Sequence, residues 1–293
     1  MKIDLHMHSD QSLDGEATPE EIARLAKEAG LRYAALSDHD EVTGIDRFVA
    51  AAGPELEVVP AVELDTDFCG LEPHVLGYYI NWHDPRWAQL HDSIHEQHVR
   101  TTQAYCRNIR ALGIALDQDE VDRRARNGVA ATELMTRIAL ADPRNDGNAI
   151  LEPYRPGGAR ADMPLVNFYW DWCAPGKPCY TNMKYMPMEE AVRLITDTGG
   201  VPVLAHPGQT FGDQTDLALR ALDCGMRGIE AYSGYHDAAQ CAYWARVGAD
   251  RGLVCTCGSD WHGSIKPHNF MGVHGAGPRQ AEETIAGLQR LRQ

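Results

Sequence analysis

The chain has 293 residues, 44% hydrophobic and 24% charged, an ordinary balance for a folded globular protein and enough for one large α/β domain or two small ones. Its 27 Lys and Arg stand against 42 Asp and Glu, a formal net charge of −15, which argues against long nucleic acid as a partner but not against a small anionic substrate held through bound cations. No run approaches the ~18 to 20 apolar residues of a membrane span, Asp4 falls where a signal peptide needs its apolar region, and eight cysteines then fit free thiols in the cytoplasm.

In chain order, a strand at Ile3–Leu5 runs into His6-Met7-His8. A helix follows, with Thr18 as its cap, Pro19 at the first position, Glu21 completing a capping box and Gly30 as the stop. Its apolar positions Ile22, Leu25, Ala26 and Ala29 share one face. Tyr33–Leu36 reads as a strand ending in Asp38-His39-Asp40, then a helix over 43–52, a strand at Glu57–Ala61 ending in Glu63, and another at His74–Ile80. From 86 to 175 the alternation stops, and helices give way to a loop rich in Pro, Gly, Arg and Asn. This reads as a helical cap inserted between two halves of a β/α barrel, 1–85 and 176–293. The alternation then resumes with a helix over 187–198, a strand at Val201–Ala205 ending in His206-Pro207 and a helix over 216–224. A strand at Gly228–Ala231, a helix over 237–251, a strand at Leu253–Cys257 running into Gly258-Ser259-Asp260-Trp261-His262, and a helix over 280–292 complete the pattern.

His, Asp and Glu thus arrive from five strand ends, which a parallel β/α barrel brings to one mouth, and together they form a ligand set for Zn, Mn or Fe. His6 and His8, two apart on extended backbone, point to one side, and Asp260 and His262 repeat that spacing. An isolated pair of this kind is usually a hydrogen-bonded structural histidine pair; five coinciding strand ends are not.

On Asp4-Leu5-His6-Met7-His8-Ser9, Leu13-Asp14-Gly15, Ser37-Asp38-His39-Asp40, Val62-Glu63, His74-Val75-Leu76-Gly77-Tyr78, Ala205-His206-Pro207-Gly208 and Gly258-Ser259-Asp260-Trp261-His262, the chain resembles the PHP (polymerase and histidinol phosphatase) family of metal-dependent phosphoesterases, in its small-molecule branch. The resemblance implies a distorted (β/α)7-type barrel with a helical cap and two to three divalent ions. One ion would take His6, His8, Glu63 and Asp260, a second Glu63, His74 and His206, and a third Asp14, His39 and His262. Such ions lower the pKa of bound water from ~15.7 toward ~7 for attack on phosphorus. His206, His236 or a bound water would assist the leaving group, and Asp38 would orient a ligand imidazole.

Substrate contacts are expected from Lys177 in Gly176-Lys177-Pro178 and from Ser233 and His236 in Ser233-Gly234-Tyr235-His236. Ala131 and Glu133 stand where relatives carry an Arg and a His, and Arg155 and Arg160 in the long 142–175 loop are candidates to replace that clamp. For Lys177, Arg155 and Arg160 the alternative is a solvated surface charge. The activity expected is hydrolysis of a nucleotide, a nucleoside 3′,5′-bisphosphate or a sugar phosphate. Alternatives are opening of a cyclic phosphate followed by hydrolysis of the monoester, 5′–3′ cleavage of short oligonucleotides, C–N bond hydrolysis, or a non-catalytic binding module.

Overall fold

A computed structural model describes residues 1–292. It separates into two compact units, one of Met1–Leu90, Tyr185–Gly263 and His268–Gln293, the other of His91–Lys184 and Ser264–Pro267. These divisions differ from 85 and 176 because one continuous helix, Pro85–Ala111, carries the chain out of the first unit, so no break in periodicity marks the boundary. Among the described residues, no helix is long and apolar enough to cross a membrane.

The first unit is an α/β barrel. Its strands are β1 (Ile3–Asp4), β2 (Tyr33–Ala34), β3 (Glu57–Val58), β4 (Ala61–Asp67), β5 (His74–Tyr78), β6 (Met186–Pro187), β7 (Val201–Leu204), β8 (Gly228–Ser233) and β9 (Val254–Gly258). They form one sheet ordered β1-β2-β3 and another ordered β6-β4-β5-β7-β8-β9. Two bridges join the sheets, His39 to Glu63 beyond β2 and Met7 to Trp261 beyond β1 and β9, so that β1, β2, β4, β5, β7, β8 and β9 make a closed ring. Closure removes the free edges that an open sheet exposes.

The ring is not wholly parallel. β5 runs antiparallel to both β4 and β7, with Asp65 opposite His74 and Val75 opposite Leu204. His74 therefore opens its strand yet lies at the rim where its neighbours end. Period-two alternation sets what each face carries. On β4 the outer residues Val62 and Leu64 pack with Met188, Ala191 and Ile195 of the helix Met188–Asp197, while Ala61, Leu76, Tyr78, Val201, Val203 and Ala205 join Ile3 and Leu5 in a second cluster. The same face of β4 continues from Ala61 to Glu63 and Asp65, and that of β5 from Tyr78 through Leu76 to His74. The inner face thus changes from apolar floor to polar rim. Glu63 lies inside a seven-residue strand rather than after its end, since the strand expected at 57–61 breaks and resumes at Ala61.

Helix α1 (Pro19–Glu28) starts as its sequence requires: Thr18 Oγ1 accepts the Glu21 amide at 3.2 Å. The Glu21 carboxylate turns to Arg24 rather than completing the box, and Pro19, Ile22, Ala23 and Ala26 are the buried positions, with Leu25 and Ala29 half-buried.

The second unit has a core of its own in which Ile109, Leu116, Val121, Met135, Leu151, Tyr154 and Phe168 are buried together. They come from the helix Pro85–Ala111, the helices Gln118–Arg124, Thr132–Ala141 and Pro164–Phe168, and the turns between them. A π-helical turn, Tyr169–Cys173, follows.

Candidate metal centre

Glu63 lies at the middle of a ring of imidazoles. Its Oε2 is 3.0 Å from His6 Nε2, 3.1 Å from His8 Nε2 and 3.4 Å from His39 Nε2, and its Oε1 is 3.0 Å from His74 Nδ1 and 3.1 Å from His206 Nε2. Asp260 Oδ1 closes the first group at 3.3 Å from His6 Nε2 and 3.0 Å from His8 Nε2. His262 Nε2 meets Asp14 Oδ2 at 2.9 Å. Three sets of side chains bring their ligand atoms within 4.8 Å of one another: His6, His8, Glu63 and Asp260; His8, Asp14, His39 and His262; and His39, Glu63 and His74. All nine residues proposed as ligands from sequence meet in this cluster, with His206 attached through Glu63.

Partners behind the ring fix which nitrogen faces inward. His6 Nδ1 donates to Glu230 Oε1 at 2.9 Å, His39 Nδ1 to Asp65 Oδ1 at 2.8 Å, and His262 Nδ1 to the Asp260 carbonyl at 2.9 Å. His8 Nδ1 donates to Ser12 Oγ at 3.1 Å, and that hydroxyl donates to Asp38 Oδ1 at 3.0 Å. Each Nδ1–H is thereby spent, leaving the Nε2 lone pair aimed at carboxylate oxygens. The Nε2 atoms of His6, His8 and His262 and Oε2 of Glu63 are buried and make no hydrogen bond. Lone pairs facing carboxylate oxygens at about 3 Å repel unless a positive charge lies between them, and a divalent cation fits that donor set.

The carboxylates also act on the imidazoles directly. Burial opposes charging His6, yet Glu63, Glu230 and Asp260 hold its imidazole well above its ordinary range. Burial and the neighbouring His262 bring His8 down to about 4. Glu63, despite complete burial, is held well below the usual carboxylate range by His6, His74 and His39.

The remaining expectations divide. Asp38 touches no imidazole: it accepts the Ser9 amide at 2.6 Å, the Ser9 hydroxyl at 2.7 Å and the Ser12 hydroxyl, and so acts on His8 only through Ser12. Burial pushes it up to about 6. His236 spends both ring nitrogens on the backbone, Nδ1 donating to the Ala231 carbonyl at 3.1 Å and Nε2 accepting the Gly208 amide at 3.0 Å. A ring so engaged has no lone pair or proton free for a leaving group. Ser233 ends β8 buried, its hydroxyl without a hydrogen-bond partner. In the second unit Arg160 pairs with both oxygens of Asp171 at 2.9 Å, and Arg155 donates to the Leu140 and Asn145 carbonyls at 3.0 Å. Arg160 is thus taken up by its own loop and Arg155 by that loop and the helix Thr132–Ala141, with its buried Nε making no hydrogen bond, whereas Lys177 lies exposed on a turn.

Four contributors went unread as site residues. Asp65 shares the inner face with Glu63 at the same two-residue spacing as His6 and His8, a signal that was available in the sequence. Asp40, buried beside Asp65, takes φ +52°, and Tyr235 donates to Asp260 Oδ2 at 2.5 Å. Glu230 binds both the His6 ring and, at 2.9 Å, the His206 amide. That amide bond matters because strict alternation after Ala205 would turn His206 outward. A left-handed backbone at His206, φ +20° and ψ +60°, brings the ring inside at a cost of about 1–3 kcal/mol.

A family model described as the PHP domain matches residues 4–134. The chain is 32% identical over 267 residues to the phosphoribosyl 1,2-cyclic phosphate 1,2-diphosphodiesterase of Eggerthella lenta, covering 89% of this chain and 94% of that protein. It is 30% identical over 264 residues to a 3′,5′-nucleoside bisphosphate phosphatase of Chromobacterium violaceum, covering 89% and 87%. Among solved structures, an amidohydrolase from Chromobacterium violaceum with bound sulfate superposes with a TM-score of 0.78 at 27% identity, over 99% of this chain and 97% of that one.

Proposed function

The chain belongs to the PHP family and is a metal-dependent phosphoesterase, and from that premise we propose that it hydrolyses a small phosphorylated metabolite at the Glu63 cluster. The substrate classes are a nucleotide, a nucleoside 3′,5′-bisphosphate or a sugar phosphate, with a small cyclic phosphate opened and then cleaved as the variant to test beside them. The observation that carries this reading is the convergence of Glu63 with five imidazoles and of Asp260 with two of them.

Two to three divalent ions of Mn, Zn or Fe would be held by His6, His8, Glu63 and Asp260, by Glu63, His74 and His206, and by Asp14, His39 and His262. Bound there, they supply positive charge against the phosphate dianion and make water nucleophilic near neutral pH. The protein's own residues do the rest. Glu63 offers one oxygen to each side of the cluster, and Glu230, Asp65 and the Asp38–Ser12 pair hold the imidazoles in register. Of the two histidines expected to move a proton, only His206 presents a ring nitrogen to the cluster. The unpartnered Ser233 hydroxyl supports a hydrogen bond to substrate, with Lys177 as a point charge for a phosphate. Arg155 and Arg160 take that role only by leaving their present partners.

The −15 charge supports a small substrate over long nucleic acid, and eight free cysteines support a cytoplasmic location. The test is phosphate release across monophosphates, 3′,5′-bisphosphates and cyclic phosphates, with metal content measured on the same samples. Turnover confined to one class and lost on chelation names the substrate. No phosphate from any member at full metal loading overturns the proposal and directs attention to C–N hydrolysis.

A further inference from the structure

The phosphoesterase reading uses none of the cysteines, yet two of the eight lie side by side in the second unit. Cys173 closes the π-helical turn, and the Cys179 amide donates to the Trp172 carbonyl at 2.8 Å. That bond limits the Cα atoms of Cys173 and Cys179 to about 7 Å apart, the edge of the separation a disulfide spans. The two thiols hydrogen-bond to each other. Both are buried with Cys106, whose thiol instead faces Met135 Sδ at 3.9 Å.

Between the cysteines runs Ala174-Pro175-Gly176-Lys177-Pro178, exposed from Pro175 to Pro178. Its own amides hold it through Ala174 to the Tyr169 carbonyl at 2.9 Å and Lys177 to the Ala174 carbonyl at 3.0 Å. Tyr180 donates to the Lys177 carbonyl at 3.0 Å, and Asn108 Nδ2 ties the Cys179 carbonyl to the long helix at 3.1 Å; local opening of this exposed turn is the route by which an oxidant would reach the thiols.

We propose that Cys173 and Cys179 form a reversible dithiol–disulfide site, oxidised by hydrogen peroxide, that clamps the turn carrying Lys177. The Cys179 sulfur attacks one peroxide oxygen, the O–O bond breaks, and a water leaves with the thiol proton. The Cys173 sulfur then attacks the resulting sulfenic acid, the S–S bond forms, and a second water leaves. Two thiols are oxidised to one disulfide while one peroxide is reduced to two waters. Cys179 directly follows exposed Pro178, whereas buried Ala174 separates Cys173 from the turn, which makes Cys179 the first sulfur reached; the hydrogen bond from Cys173, which holds its thiol below the ordinary range, favours the same order. The site is independent of which phosphate the enzyme hydrolyses.

The experiment treats the native full-length chain with graded peroxide, then alkylates, digests and maps the cysteines by mass spectrometry. The expected result is a peptide joining Cys173 to Cys179, lighter by two hydrogens, restored by dithiothreitol and formed while Cys106 and Cys257 remain unmodified. Exposed Cys69 reports that the oxidant is active. Thiols still free at Cys173 and Cys179 when Cys69 is fully oxidised would overturn the proposal, as would sulfinic or sulfonic acid at either position without the bridge. Mapping the unaltered protein decides the matter; Cys173→Ser adds that the bridge disappears and Cys179 stops at sulfenic acid.

Discussion

Glu230 makes the sharpest test of how the cluster is held. Both groups that face it are donors: the His6 Nδ1–H on one oxygen and the His206 amide on the other, each at 2.9 Å. The residue is wholly buried. Glu230→Gln keeps the shape but turns an NH2 toward one of those donors, so one bond becomes a repulsive contact. Leaving one buried donor unmatched costs about 1–3 kcal/mol. If the His6 ring loses its partner, metal affinity falls by about 10- to 100-fold, as it does when a partner behind a ligating histidine is removed. If the His206 amide loses it, the left-handed backbone there relaxes and the ring turns away from Glu63. Competition titration against a chromogenic chelator measures the affinity, and thermal melting of the metal-free protein measures the stability cost. Unchanged affinity together with an unchanged melting temperature would refute the assignment of Glu230 as the common brace.

Other perturbations follow from the same geometry. Burial lowers His236 below its ordinary value of about 6.5. The folded protein therefore favours the neutral ring, so the stability from His236 is complete above about pH 6.5 and is lost as pH falls through the lower folded value. His236→Gln, which can accept from Gly208 and donate to Ala231 as the neutral ring does, should flatten the fall in melting temperature below pH 6.5; an identical pH profile would show that His236 does not couple. Gly258→Ala places a Cβ 2.2 Å from the His6 Cβ and 2.8 Å from Glu230 Oε1. Its expected cost is at least about 1–3 kcal/mol with loss of bound metal, and wild-type melting with full metal content would contradict it. Chelation should abolish turnover and, where metal had been at a hundredfold excess over its Kd, remove about 2.7 kcal/mol of stability. Turnover persisting with metal content near zero would exclude the cluster as the catalyst.

Much of the barrel was legible because it rests on local rules. Thr18, Pro19 and Gly30 mark α1 through a side-chain cap, a preset φ and a left-handed turn at φ +73°, and none of these needs a tertiary partner. His6 with His8 and Asp260 with His262 declare a shared side through the two-residue repeat of extended backbone. The same rule would have added Asp65 to Glu63 had the strand been placed at 61–67 rather than ended at Ala61. The second unit was legible only as a change of pattern, since a 27-residue helix crosses its boundary and the Ser264–Pro267 segment joins it from 80 residues further along the chain than Lys184.

The sequence by itself determined the donor chemistry: His, Asp and Glu residues at five strand ends, which elementary coordination preferences make a ligand set for a divalent metal, with Asp14 and His74 added by the resemblance to the PHP family. Tertiary structure decided how those donors are aimed. Reversal of β5 brings His74 to the rim, a left-handed residue turns His206 inward, and Glu230 and Asp65 select the ring nitrogens that face Glu63. It also took groups out of play, giving His236 to two backbone partners and Arg160 to Asp171. The physical reason is that ligand identity is a property of a side chain, whereas tautomer, lone-pair direction and availability depend on partners distant in sequence, such as Glu230, 224 residues from His6.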